Sequence, residues 1–377
     1  MSKKQRDKLI NKYRKKQSKK KSKLQISQEK AEVAIRMTNG KIAELGNQTS
    51  NIYDELTTIQ SLFDAIKNVP SDKQLEYQEL EEIRLNWKQL AVNIEADYKN
   101  ATATNTGKSA ASVGAGVAVA TLGPTAAMGI ATTFGVASTG TAISTLTGAA
   151  ATNAALAWLG GGALAAGGGG IAVGNALLAL AGPVGWAIAG AAILGSSLMF
   201  WKGKDNQNRL EDVFTLISKR DVKSYELAIV EMNKRIRRII NEIKLLRDAS
   251  EKIRTFGLDY TLMTEAQQYE LGSYVNLMNA STKLLVNPIL GLQFKYNISD
   301  LNTYLDYSHQ DFSKTEKNVI IYLCNLLYKI DLHTKDKELL WESFRKNKEF
   351  LESVNMSKKS FEYSIMETAT NALVHKY

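Results

Sequence analysis

One long stretch of this sequence lacks charged side chains. From Ser109 to Trp201, 93 consecutive residues include no Asp, Glu, Lys or Arg, although these residues make up 23% of the whole chain. The same stretch holds 19 of the 26 glycines. In soluble proteins, core segments rarely lack charged residues over such a length. A helix in water is also destabilised by about 1 kcal/mol for each interior glycine relative to alanine. We therefore predict that this stretch, called here the uncharged run, enters a membrane.

Cysteine is nearly absent. Cys324 is the sole cysteine, so an intrachain disulfide is excluded. Its neighbours Tyr322, Leu323 and Leu326 predict a small buried core residue rather than a reactive thiol. The N-terminus has no apolar segment of the kind that a cleavable signal peptide needs, so we expect synthesis in the cytoplasm followed by association with a membrane.

Motifs for catalysis and for metal or cofactor binding are missing as well. His309, His333 and His375 lie far apart, without partners at metal-ligand spacing. The residues Thr106–Ser109 end like a phosphate-binding loop, but Thr102 stands where that loop needs glycine. No nucleophile elbow or Cys/His nucleophile pair is present. We therefore expect a protein that is not an enzyme and that holds no metal and no cofactor.

Positive charge is concentrated at the N-terminus. The chain has a net charge of +10, and residues 1–23 carry 12 Lys/Arg against one Asp, which leaves a net of −1 for the rest. We predict that this tail contacts anionic lipid head groups. Phosphates of a nucleic acid are a less favoured alternative, because Tyr13 is the only aromatic residue there, and a solvated tail is a third. The residues assigned to head-group contact are Lys3, Lys4, Arg6, Arg14, Lys15, Lys16, Lys19, Lys20, Lys21, Lys202 and Lys204.

Hydrophobic residues on both sides of the uncharged run repeat three and four positions apart. The pattern runs from Ile35 to Ile66, resumes from Leu80 to Ile94 after a break at Pro70, and returns from Val222 to Ile253. Such heptads are typical of coiled coils. We predict an all-α fold in which the helices before and after the run pack as an antiparallel coiled-coil bundle, about 50 Å long at 1.5 Å per residue. An ordinary helical bundle with an insertion is the alternative.

These patterns divide the chain into five parts. They are a basic disordered tail (1–24), coiled-coil helices (25–100), a membrane-inserting segment (105–202), a coiled-coil helix (203–256) and a C-terminal helical domain (257–377). Within the last part the periodicity predicts helices around 315–331, 336–354 and 358–375, with a turn at Pro288 and Gly291.

Glycine and proline suggest how the uncharged run is subdivided into helical hairpins. Breaks are expected at Gly123-Pro124 and at Gly182-Pro183, and Pro183–Trp201 is the best candidate for one crossing. Lysines flank both ends of the run, so both ends should stay in the cytoplasm and the number of crossings should be even, two or four. Small residues would let the helices pack closely in lipid. The residues assigned to insertion and packing are Gly123, Pro124, Gly160, Gly161, Gly162, Gly167, Gly168, Gly169, Gly170, Gly174, Gly182, Pro183, Gly185, Trp186, Gly190 and Trp201.

The uncharged run and its flanking heptads resemble a known class of proteins. A central Gly/Ala-rich hydrophobic hairpin region between heptad helices, over about residues 35–256, looks like the layout of α-helical pore-forming proteins. The glycine-rich composition of residues 109–201 resembles the membrane-inserting regions of colicins and of the apolipoprotein L group. This resemblance implies bilayer insertion and permeabilisation after oligomerisation.

The functional prediction is therefore a toxin-like or defence-like membrane effector of bacterial type. Its partners would be an anionic bilayer and further copies of itself, and its few large apolar residues predict marginal insertion and hence a shielded and an inserted state. Two alternatives stay open. One is a membrane-anchored scaffold that binds a protein through its coiled coil, and the other is a structural oligomer in water with residues 109–201 buried.

Overall fold

The computed structural model describes residues 22–104, 124–134, 203–293, 295–354 and 356–377. Within these ranges the chain forms ten α-helices, two 3-10 helices (Tyr260–Leu262 and Leu290–Leu292) and no strand, which confirms the all-α class. The α-helices are α1 (Lys23–Asp64), α2 (Ser71–Thr104), α3 (Pro124–Phe134), α4 (Lys204–Ile253), α5 (Glu265–Val286), α6 (Ile298–Ser308), α7 (Lys314–Leu327), α8 (Thr334–Lys346), α9 (Lys348–Ser353) and α10 (Tyr363–Lys376).

A first hydrophobic core is formed by α1, α2, α4 and α5. The heptad positions from Ile42 in α1 to Ile66, just after its end, are buried, and those of α4 from Tyr225 to Ile253 are buried or half-buried. A stripe of apolar residues at this spacing cannot stay in water, so the long helices cover one another. The predicted seams of α1 and α4 are therefore buried faces of this core.

The two longest helices, α1 and α4, run parallel. Close to the start of both, the backbone amide of Leu24 donates to Glu211 at 3.4 Å. Close to their ends, Arg247 donates to Glu55 at 2.6 Å. The antiparallel pairing predicted for the heptad helices on the two sides of the uncharged run is therefore wrong for α1 and α4. The reason is that α2 first carries the chain back along α1, so that α4 starts from the end at which α1 starts.

Antiparallel packing occurs instead between neighbours in the sequence. The ring of Phe63 in α1 packs against that of Tyr77 in α2 in a tilted arrangement, with 5.2 Å between ring centroids, close to the break at Pro70. Glu242 of α4 accepts a hydrogen bond from Ser281 of α5. The two connecting loops are joined by backbone hydrogen bonds, from the amide of Lys67 to Leu258 at 2.8 Å and from the amide of Tyr260 to Lys67 at 3.0 Å.

A second core is formed by α6 to α10 together with the first part of α4. Leu210, Phe214 and Ile217 of α4 belong to it. Cys324 of α7 is fully buried there, which confirms the prediction of a core thiol, and burial raises its pKa well above the ordinary value. The predicted C-terminal helices correspond to α7, to α8 with α9, and to α10. Helix α5, which the sequence analysis placed in the C-terminal domain, packs in the first core.

Arg220 fastens α4 to the second core. Its guanidinium donates to the carbonyl oxygens of Leu326 and Tyr328, at 2.9 and 2.5 Å, where α7 ends. It also donates two hydrogen bonds to Asp221, the next residue. Cations near the C-terminus of a helix are favourable because the last carbonyl groups have no partner within the helix.

Candidate functional site

Helix α3 is the part of the uncharged run that the structure describes, and it lies inside the first core. Every residue from Ala127 to Thr133 is buried, with Ile130, Ala131, Thr132 and Thr133 at 0% exposure. A helix buried on all sides occupies the interior of a bundle rather than its surface. The residues around α3 belong to α1, α2, α5 and the link between α5 and α6 (287–297). They include Ile42, Gly46, Trp87, Ile289 and Gln293, and together they are called here the α3 seat.

Gly129 lets α3 cross α1 with the two backbones almost in contact. A Cβ atom built on Gly129 would lie 2.1 Å from the carbonyl oxygen of Ile42 and 3.0 Å from the amide nitrogen of Gly46. Both atoms belong to the backbone and cannot rotate away, so no side chain larger than hydrogen fits at this position. The close approach depends on the glycine at position 129, and small residues allow such packing of helices in water and in lipid alike.

Trp87 joins α2 to α3. Its indole Nε1 donates a hydrogen bond to Oγ1 of Thr132 at 3.2 Å, and its side chain is fully buried. The ring also contacts Tyr53 of α1, with 5.6 Å between ring centroids. Burying an indole N–H without a partner would cost about 1–3 kcal/mol, so Thr132 fixes the position of α3 along α2.

The C-terminal part of α3 is tied to the link between α5 and α6. The carbonyl oxygen of Thr133 accepts hydrogen bonds from the amide of Ile289 at 2.9 Å and from Nε2 of Gln293 at 3.2 Å. The same link is held against α4, where Glu231 accepts from the amides of Leu290 and Gly291. The link therefore connects α3 to α4 through its backbone amides and the side chain of Gln293.

A buried cation lies one helical turn from Trp87. Arg84 of α2 is 2% exposed and donates to Gln60 of α1 at 2.7 Å and to Thr282 of α5 at 3.5 Å. Burial lowers the pKa of its guanidinium to about 10. The two hydrogen-bond partners are neutral, and the nearby acidic residues Glu81 and Asp64 offset only part of the effect of burial, so separation of the helices would return a desolvated charge to water.

Two of the residues predicted from the sequence lie within the described residues. Pro124 is the first residue of α3, as expected for a proline that breaks the preceding chain and starts a helix. Lys204 is the exposed first residue of α4. The other residues assigned to insertion, packing and head-group contact lie outside the described residues.

Several residues of the seat were missed in the sequence. Gly46 and Gly129 carry the helix crossing, and Thr132 and Thr133 carry the hydrogen bonds. A single glycine in an apolar helix followed by two threonines was a usable signal, because threonine in a buried helix needs a partner. In the sequence, this stretch was assigned only to the uncharged run that is expected to enter a membrane.

None of the helices in the described ranges is both long enough and apolar enough to cross a bilayer. Nor do His, Cys, Asp and Glu side chains in those ranges come together in a group of three or more that could hold a metal ion.

Comparison of the chain with models of known protein families finds no match, and searches among curated proteins and among solved structures find none either.

Proposed function

We propose that the chain is a membrane-inserting helical effector that keeps part of its uncharged run in the α3 seat and transfers the run to a bilayer. There the run forms helical hairpins, oligomerises and permeabilises or remodels the membrane. The bilayer is anionic, and the basic tail and the lysines that follow the run contact its head groups. The observation that carries the proposal is the burial of α3 on all sides within the first core.

The seat supports a shielded state because it removes the apolar side chains of α3 from water while the protein is in solution. Burial of Met128 and Ile130 together with the hydrogen bond from Trp87 contributes on the order of 5 kcal/mol. The six Val, Ile, Leu and Phe residues between Pro183 and Trp201 favour insertion by roughly 2–4 kcal/mol. The two free energies are of similar size, so a modest further gain at a membrane could reverse the preference.

The length of α3 defines what insertion requires. Its 11 residues extend about 16 Å, whereas one crossing of the hydrocarbon core takes about 20 residues. Crossings therefore need residues from the remainder of 109–201. In this proposal α3 must leave its seat before these residues can enter the bilayer.

A second candidate function is favoured by the same burial. If α3 never leaves its seat, the uncharged run is the permanent core of a structural helical protein, and the bundle is a scaffold for a protein partner. The two candidates differ in one respect, which is whether the run ever contacts lipid.

Membrane potential in cells separates the candidates. Induction of the full chain should collapse the potential, and a variant without residues 109–201 should leave it intact. Collapse with both proteins, or with neither, would contradict the effector proposal. A structural protein should leave the potential intact in both cases.

A further inference from the structure

The outer face of α4 from Leu227 to Arg247 carries exposed aliphatic side chains. Leu227 is 67% exposed, Val230 51%, Ile240 52% and Leu245 43%. Within residues 22–104, 124–134 and 203–377, as far as the structure describes them, no other helix covers these four side chains. Four large apolar side chains on 21 residues of one helix are more than scattered surface hydrophobics explain.

The same face is cationic. Its charged members are Lys234, Arg237, Arg238, Lys244 and Arg247, all exposed, and no acidic residue of α4 is exposed between Leu227 and Arg247. The two acidic residues of this stretch have partners within the protein, since Glu231 accepts from the amides of Leu290 and Gly291 and Glu242 accepts from Ser281. An ordinary solvated helix face mixes both signs of charge, whereas the stretch between Leu227 and Arg247 exposes only cations, and the exposed acids Glu226 and Asp248 lie just beyond its two ends.

Three of the five cations are uncompensated. Arg247 is paired with Glu55 at 2.6 Å and Arg238 lies 3.6 Å from Glu242. Among the described residues, Lys234, Arg237 and Lys244 have no acidic group within ion-pair distance. Their spacing of three and seven positions places them on the same side of the helix, along about 15 Å of its length.

The alternation of cations with aliphatic side chains identifies the partner. Phosphate groups would neutralise Lys234, Arg237 and Lys244, and the region just below the head groups would receive Leu227, Val230 and Leu245. A nucleic acid offers the phosphates but no apolar layer, and the face has no aromatic side chain on which a base could stack. We infer that the outer face of α4 binds the surface of an anionic phospholipid bilayer with the helix lying in the membrane plane.

This inference rests on the proposed function only in taking a bilayer as the partner. It assigns the first contact to folded surface residues instead of the uncharged run. Binding by the α4 face and insertion of the run are therefore separate steps, which different variants should block.

Vesicle binding by the full chain tests the assignment. The triple variant Lys234→Gln, Arg237→Gln, Lys244→Gln should bind phosphatidylglycerol-containing vesicles about 100-fold more weakly than the wild type, from about 1 kcal/mol for each cation. The matched control is Lys314→Gln, Lys358→Gln, Lys359→Gln, which removes the same charge from exposed positions of the second core. The control should bind almost as the wild type does. Equal losses in the two triple variants, or no loss in the first, would overturn the inference.

A second variant distinguishes lipid from a polyanion. Leu227→Ser, Val230→Ser, Leu245→Ser should weaken vesicle binding by about tenfold and leave binding to single-stranded RNA unchanged. If this variant binds vesicles as the wild type does while the cation variant loses vesicles and RNA alike, the face is a polyanion site and the inference fails. Circular dichroism verifies that each exposed substitution leaves the helices intact.

Leakage of a trapped dye separates this inference from the proposed function. Wild-type protein that binds vesicles through the α4 face without releasing dye would defeat the effector proposal and leave the lipid surface standing. Dye release that the cation variant retains at full strength, with undiminished binding, would defeat the lipid surface and leave the effector proposal standing.

Discussion

The indole nitrogen of Trp87 and the hydroxyl oxygen of Thr132 lie 3.2 Å apart and share a hydrogen bond inside the first core. The bond joins α2, a helix with many charged residues, to α3, a helix from a run of 93 residues without any. It shows that this part of the run packs as a specific element of the bundle. Whether the protein can switch between a shielded and an inserted state depends on how strongly the first core holds α3.

The Trp87–Thr132 bond should appear as a coupling energy. Trp87→Phe and Thr132→Val each remove one partner, and a double-mutant cycle on the free energy of unfolding should give a coupling of about 0.5–1.5 kcal/mol. Trp87→Phe combined with Thr57→Val, an exposed threonine of α1, provides the control and should be additive. Additivity in both cycles would mean that the bond contributes nothing to the seat.

Gly129 should be intolerant of the smallest side chain. Gly129→Ala places a methyl group against the backbone of Ile42 and should lower the free energy of unfolding by about 1–3 kcal/mol. Gly40→Ala is the matched control, since a Cβ on this exposed helical glycine meets nothing within 4 Å. It should raise the free energy of unfolding by about 0.5–1 kcal/mol. Chemical denaturation of the two variants beside the wild type measures both signs.

The same pair of variants tests the seat as a restraint on activity. If α3 must leave its seat before the run enters lipid, Gly129→Ala should release dye from anionic vesicles faster than the wild type, and Gly40→Ala should not. If Gly129→Ala releases dye more slowly than the wild type while remaining helical by circular dichroism, α3 does not have to leave its seat before the run enters lipid.

Asp221 should make stability depend on pH. Burial raises the pKa of this carboxyl group from 3.8 to about 6, against the opposing effect of Arg220. The folded state therefore binds the proton more tightly than the unfolded state, and stability is lost as the pH rises through this interval. The advantage of the wild type over Asp221→Asn in free energy of unfolding should fall by about 2–3 kcal/mol between pH 4 and pH 7. An advantage that is constant, or that grows with pH, would contradict this assignment.

The sequence was sufficient for the long helices α1, α2 and α4 and for the helices from α7 onward, whereas α5 and α6 were not predicted. Heptad spacing located the seams of α1 and α4, Pro70 located the first turn, and periodicity located the C-terminal helices. These features are local, because a helix of this length must bury its own apolar stripe whatever covers it.

The sequence did not predict which helices pack against each other or whether they run parallel, since both depend on contacts between residues far apart in the chain. Nothing in the heptads of α1 distinguishes a parallel partner helix from an antiparallel one. Antiparallel packing was therefore predicted for α1 and α4, which in fact run parallel. The seat was missed for a related reason. Gly129 and the two threonines that follow it are visible in the sequence, but the sequence does not say that Gly129 meets the carbonyl group of Ile42 or that Thr132 meets Trp87.

Depth-dependent quenching of a fluorophore in the uncharged run is the most direct measurement of the central claim. The variant Ala189→Cys places the label within the best candidate crossing, and Cys324 is buried and should stay unlabelled. On addition of phosphatidylglycerol-containing vesicles with nitroxide-bearing acyl chains, the account predicts strong quenching at position 189 and none in a control labelled at Lys359→Cys. Position 189 remaining unquenched in the presence of bound vesicles would contradict the claim that the run enters lipid.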